Sequence, residues 1–212
     1  MIIRTAAATA AILQLFAVGV PAIAAPAAIQ AQPIPVSADA TGPTTYRIDP
    51  THTQVRVTWN HMGLSRPGAT FETVQGVIRI DTKTPANSSV SVSIPVSGVD
   101  TGVPALDSEF LGAAFFDAQN HPDITFQSRA VRFTGLGNRF EVEGDLTVRG
   151  VTRPVILDAV LNGAGDHPMT GKPSVGFSAH TTLRRSDFGL GAALPIVGDD
   201  IDVQITVEAS VE

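Results

Sequence analysis

The chain has 212 residues, 14 Lys and Arg against 20 Asp and Glu, and a formal net charge of −6. Its longest basic run is Arg184-Arg185, so electrostatic attraction to nucleic acid or to anionic lipid headgroups is not expected. Cysteine is absent, which excludes disulfides, a thiolate nucleophile, covalent c-type haem and a lipoprotein anchor, and leaves the fold to be held by its own apolar core.

Along the chain, Arg4 supplies a basic start, Ala6 to Val20 an apolar stretch and Ala22-Ile23-Ala24 a small-x-small cleavage site. Residues 1–24 are therefore read as a secretory signal peptide, with an apolar stretch shorter than the roughly 20 residues of a membrane span. Residues 25–44, with Pro26, Pro33, Pro35 and Pro43, read as a flexible Pro/Ala-rich linker. The folded domain is expected over 45–212, which is long enough for a sizeable core.

From Tyr46 onward, apolar and polar residues alternate with period two, as in Val55-Arg56-Val57-Thr58-Trp59 and Ile201-Asp202-Val203-Gln204-Ile205-Thr206-Val207. Successive strand side chains point to opposite faces, so each run has one dry and one wet face. Strands are expected over 46–48, 54–62, 70–81, 89–95, 123–133, 139–148, 155–162, 174–183 and 200–210. Turn signals at Thr84-Pro85-Ala86-Asn87, Gly135-Leu136-Gly137-Asn138, Arg149-Gly150 and Gly163-Ala164-Gly165-Asp166 separate them. One segment breaks the pattern. Leu106, Phe110 and Leu111 have helical spacing and predict a short helix over 104–111 that ends near Gly112. It leads into Phe115-Phe116, whose adjacent rings need a place to dock: a plug closing one end of the fold, or a lid over a cavity mouth. There is no βαβ alternation and no internal repeat, so antiparallel neighbours in a closed up-and-down barrel or a two-sheet sandwich are expected.

Local motifs return no enzyme. The five histidines, His52, His61, His121, His167 and His180, show no HxH, HxxH or HExxH spacing. His52 and His61 would stand about 30 Å apart on a straight strand, too far to share a metal. GxSxG is absent, and Ser186-Asp187 reads as a turn in which both side chains cap their own backbone. Asp199-Asp200 reads as a solvated strand entrance. Ten Phe against one Trp and one Tyr suit a dry interior better than a sugar or nucleobase site. From the residues alone, a Phe-rich filled core and an apolar cavity both stand.

A resemblance adds to this reading. Tyr46-Arg47-Ile48-Asp49-Pro50-Thr51-His52-Thr53-Gln54-Val55, His61-Met62-Gly63-Leu64-Ser65, Phe115-Phe116-Asp117, His121-Pro122-Asp123-Ile124-Thr125-Phe126, Gly144 to Val155 and Arg185-Ser186-Asp187-Phe188-Gly189 resemble, in order, the YceI-like family of lipid/polyisoprenoid-binding periplasmic proteins. The resemblance covers 45–212. It implies an all-β fold, an extended antiparallel lipocalin-like β-barrel of about eight strands with a short helix capping one end, and an apolar tunnel for an isoprenoid chain or quinone. Candidate tunnel residues are Val57, Trp59, Phe71, Phe110, Leu111, Phe115, Phe116, Phe126, Phe133, Phe177 and Leu183. Leu106-Asp107-Ser108-Glu109-Phe110 stands where the family shows Arg-Asp-x-His-Leu. Only Asp107 is kept, so no headgroup or metal contact is carried over to this helix. The Gly expected just before Phe71 sits early, at Gly68, which predicts a different turn or bulge there.

No cofactor is implied beyond a non-covalently bound isoprenoid lipid. Expected partners are that lipid and, transiently, a membrane; no nucleic acid is expected and a homodimer stays open. Two alternatives remain: a small haem or metal protein or enzyme using His52, His61 or His121, and a filled-core interaction domain that pairs through an edge strand.

Overall fold

The computed structural model describes residues 42–212, so the expected signal peptide and the linker up to residue 41 lie outside the described residues. Eleven strands and one helix follow: β1 (Thr44–Ile48), β2 (Gln54–His61), β3 (Gly68–Phe71), β4 (Gln75–Ile80), β5 (Ser89–Pro95), β6 (Val99–Asp100), α1 (Pro104–Leu111), β7 (Asp123–Phe133), β8 (Arg139–Val148), β9 (Val151–Asp166), β10 (Pro173–Arg184) and β11 (Val197–Ser210).

All strand pairs are antiparallel, and the short strands join end to end. β1 and β2 both lie along β11, with Ile48 opposite Ala209 and Val55 opposite Ile205. β4 pairs with β1 and β3 with β2, while β5 pairs with β4 and β6 with β3. Six of the segments are thus three kinked rods. With β7 to β11 they make eight, closed where Arg47 and Ile48 meet Ser210 and Ala209. The result is a closed eight-stranded antiparallel barrel with one helix; the sandwich is not formed. Closure removes most of the edge that an open sheet of this length would expose.

Besides strand starts that come two to four residues earlier in β1, β9 and β11, three features differ from the sequence reading. The run over 70–81 is two strands, interrupted at Glu72-Thr73-Val74, where Thr73 has φ of 60° and the Glu72 amide bonds the Gly98 carbonyl at 3.1 Å. β6, across from β3, was not expected. Gly163-Ala164-Gly165-Asp166 is not a turn: β9 runs on to Asp166, and the reversal lies at 167–172. A bulge explains this. Asn162 is the extra residue between the pairs Leu161–Phe177 and Gly163–Gly176, after which the ladder resumes. The bulge expected near Gly68 is absent, since the β2–β3 ladder is regular. Gly68 instead lies against the Val57 carbonyl, 2.7 Å from where a Cβ would stand.

The barrel has a helix end and a far end. The helix end carries the 62–67 turn, α1, Arg149-Gly150 and the 185–196 connection; the far end carries the turns over 81–88, 134–138 and 167–172. Asp107, the one residue of the helix pattern kept here, has a structural role. Its Oδ1 accepts from the Thr101 amide at 2.7 Å and the Thr101 hydroxyl at 2.6 Å, tying α1 to the end of β6. The packed core sits in patches beside the lumen: Tyr46, Val175 and Ala209 toward the far end, Ala69, Val96 and Val99 toward the helix end.

Gly144 is a tight point of the wall. It sits across from the bulge at Arg129, and a Cβ there would lie 2.5 Å from Phe126 Cζ and 2.7 Å from the Gln127 carbonyl oxygen. Gly144→Ala is expected to lower stability by about 2 kcal/mol, the cost of overpacking a dense interior. A urea midpoint measures it. Adding Phe126→Leu should recover only part, because the backbone carbonyl clash remains.

Candidate functional site

The inward faces of the rods enclose an empty cavity of about 1060 Å³. Period two builds its wall: β2 contributes Val55, Val57 and Trp59, β10 contributes Phe177, Ala179, Thr181 and Leu183, and β11 contributes Ile201, Val203, Ile205 and Val207. Val90, Val92 and Ile94 of β5 and Val155, Leu157 and Ala159 of β9 complete much of the rest. An eight-stranded barrel is just wide enough either to be filled by side chains or to hold one small ligand. Here β-branched and small residues dominate mid-wall and leave the bore open, which overturns the filled-core reading.

An aromatic cluster closes much of the helix end. Phe110 of α1 lies 5.7 Å from Trp59, 5.1 Å from Phe115 and 6.1 Å from Phe116, and Phe116 meets Phe71 edge-on at 5.7 Å. Such tilted and T-shaped pairs are favoured by the ring quadrupoles. The adjacent phenylalanines are therefore docked, and both face the cavity. At the far end, Phe133 and Phe140 pair at 5.7 Å on the rim.

Ten of the eleven candidate residues, Val57, Trp59, Phe71, Phe110, Phe115, Phe116, Phe126, Phe133, Phe177 and Leu183, lie on the cavity wall. Leu111 does not. The wall takes Leu106, Glu109 and Phe110 from α1, which are one helix face, and Leu111 is a further 100° round; it packs against the core instead. Apart from Val57 and Leu183, the aliphatic wall was missed as individual residues, although its alternation was visible.

Charged side chains on the wall stand only toward the ends: Glu109 and Arg185 at the helix end, Arg79 and Asp81 at the far end. Arg185, 8% exposed, deserves its burial an explanation in bonds. Its Nε donates to the Gly198 carbonyl at 2.8 Å and its Nη2 to Val197 at 2.8 Å, while Nη1 donates to the carbonyls of Ala192, at 2.7 Å, and Leu190. Burial lowers its pKa from the usual guanidinium range, and Asp199 nearby opposes that. The Ser186-Asp187 segment is a single short 3₁₀ turn, Arg185–Phe188. Ser186 does not cap its own backbone: its amide and hydroxyl donate to Asp199 at 2.9 and 2.7 Å. Asp199 is accordingly not a free solvated acid, because it also accepts from Arg184.

The histidines are dispersed. His52 bonds Asp49 at 2.7 Å in an exposed pair, and the His52 and Thr51 bonds hold the Asp49 carboxyl at about 2. His180 bonds Asp202 at 2.6 Å on the outer face. His167 accepts from the amides of Met169 and Thr170 in the far-end turn. The ring of His121 sits over Gly150, and His61 stands on the cavity rim. Among the described residues no three His, Cys, Asp or Glu side chains gather as a metal site.

Comparison with known proteins agrees with this geometry. The YceI-like domain family matches residues 46–209. Protein YceI of Escherichia coli O157:H7 is 35% identical over 165 residues, covering 77% of this chain and 85% of that protein. The crystal structure of Campylobacter jejuni YceI superposes with a TM-score of 0.65 at 28% identity, covering 72% of this chain and 90% of that one. A domain from Saccharophagus degradans, described as polyisoprenoid binding and implicated in plant cell wall breakdown, shares the fold with a TM-score of 0.60 at 13% identity, over 80% of this chain and 99% of that one.

Proposed function

The chain belongs to the YceI-like family, and on that premise we propose that it binds an isoprenoid lipid, a polyprenyl chain or an isoprenoid quinone, and carries or sequesters it in the periplasm or another secreted compartment. The observation that carries the reading is the open bore, apolar along its middle and charged only toward its ends. At about 30 Å³ per heavy atom, a water's share of its liquid, the space takes on the order of 35 carbons. That is about seven five-carbon units in one folded thread.

Binding energetics fit a carrier. Burying a methylene from water is worth about 0.8 kcal/mol, so a long tail taken from water would never leave. Its source, however, is a bilayer, itself apolar. The protein exchanges one hydrocarbon environment for another, and the small difference lets it both load and unload. No covalent step is needed; the wall excludes water and fixes the tail's path.

Organic extraction of the purified protein followed by mass spectrometry is expected to release a stoichiometric isoprenoid lipid, and the emptied protein is expected to take up a fluorescent polyprenyl probe. Finding no lipid and no uptake rejects the reading.

A further inference from the structure

A connection on a protein surface is ordinarily polar, because its backbone and side chains face water. Past its first turn, Arg185–Phe188, which carries the exposed Asp187, the connection between β10 and β11 is not. Gly189-Leu190-Gly191-Ala192-Ala193-Leu194-Pro195-Ile196-Val197-Gly198 contains no charged or hydrogen-bonding side chain, and Ile196 is 61% exposed. Beside it stands the uncharged Met62-Gly63-Leu64-Ser65 turn, with Met62 52% and Leu64 84% exposed. The Met62 amide donates to the Ile196 carbonyl at 3.2 Å, so the two tips are one surface. Ser65 and Ala193, within these same segments, line the cavity. The surface is therefore the rim of the bore at the helix end.

Two further features bear on what covers it. Arg185 reaches up from beneath and engages two carbonyls of the connection, Leu190 and Ala192, and two at the start of β11, Val197 and Gly198. An irregular loop placed against hydrocarbon needs its backbone groups bonded from within the protein, and Arg185 does this for the carbonyls of Leu190, Ala192, Val197 and Gly198. The exposed apolar area is on the order of a few hundred Å², below the roughly 600–1,000 Å² that each partner gives to a stable protein interface, so a second protein is the poorer fit. The tips also carry no cation. The nearest, Arg66, Arg149 and Arg184, are engaged by Asp202, by the carbonyls of Gly189 and Ala113, and by Asp199, while Glu109 on the rim is acidic.

We propose that this rim docks on a lipid bilayer through Met62, Leu64 and Ile196, without help from anionic headgroups, and that the apolar ligand passes between bilayer and bore there. The second half of the proposal rests on the lipid-binding reading above; the docking half does not.

The test is flotation of the purified protein with phosphatidylcholine vesicles, with and without phosphatidylglycerol, alongside transfer of a polyprenyl probe from those vesicles and from detergent. The double variant Leu64→Ser/Ile196→Ser is expected to lower vesicle partitioning about tenfold and to slow probe uptake from vesicles, with uptake from detergent unchanged. The far-end control Leu136→Ser/Met169→Ser, exposed positions off the cavity wall, should behave as wild type. Phosphatidylglycerol or added salt should change little. The proposal is overturned if the wild type stays unbound, if the rim variant floats as well as wild type, or if light scattering shows a dimer that the rim variant dissolves, which would assign the face to a second copy. Rim-dependent flotation without probe uptake from either source would support docking and reject the lipid-binding reading. Uptake from detergent without flotation would keep that reading and reject docking.

Discussion

Ala179→Trp is expected to weaken uptake of a polyprenyl probe by about a hundredfold or more while leaving the barrel folded. Ala179 of β10 faces Ala159 of β9 directly across the ladder, and both stand on the cavity wall. Two alanines at one level widen the bore there, next to Phe177 and Thr181 on one strand and Leu157 on the other. An indole at this level adds roughly 140 Å³, which is small against 1060 Å³ but large against the cross-section of an eight-stranded barrel. A thread must pass every level of the bore, so the narrowest one decides. Because the indole enters empty space rather than a filled core, the usual cost of overpacking does not apply, and the melting temperature should hold or rise. Probe titration and thermal melting are the measurements. Undiminished uptake by a folded Ala179→Trp protein would show that the ligand site lies elsewhere.

The strands, the helix and the closure were legible because they depend on local pattern. Period two survives in every rod, and the Leu106–Phe110 spacing on Pro104–Leu111 is enough to place α1. The breaks were less legible. Glu72-Thr73-Val74 interrupts a strand with no Gly or Pro, and its one trace in the chain is a change of phase, from Ala69 and Phe71 to Val74 and Ile78 as the inward residues. Gly163-Ala164-Gly165-Asp166 has the composition of a turn, yet cross-strand bonding to β10 keeps it extended. The site was half visible. Valines and isoleucines that line a bore have the same alternation as those that fill a core; the difference is a volume, and no window of sequence contains it. Arg185 was least visible of all. In the chain it is half of a basic pair, and only the fold sends Arg184 outward to Asp199 and Arg185 inward to four carbonyls.

That inward arginine carries the second large expectation: Arg185→Ala should lower stability by about 3–5 kcal/mol, as two or three of its four carbonyl acceptors are left without a donor at about 1–3 kcal/mol each. Two effects oppose each other. Losing the guanidinium ends the cost of burying a cation that has no carboxylate bonded to it, which favours the variant. Against this, the carbonyls of Leu190, Ala192, Val197 and Gly198 lose their donor together, at about 1–3 kcal/mol for each one that water cannot reach. The second effect wins because the four acceptors sit within residues 190–198, an apolar stretch with no side-chain donor of its own. For a domain of this size the loss corresponds to a fall of about 10 °C in melting temperature. Arg185→Lys should recover only a small part, since one ammonium cannot reach acceptors spread around a planar fork. Hydrogen exchange distinguishes this clasp from a general packing role. The amides of 189–198 should lose protection in Arg185→Ala by far more than those of β7 and β8, which Arg185 does not touch. Equal loss throughout the barrel, or an unchanged melting temperature, would show that the connection is held by its own backbone and that the buried cation has some other reason to be there.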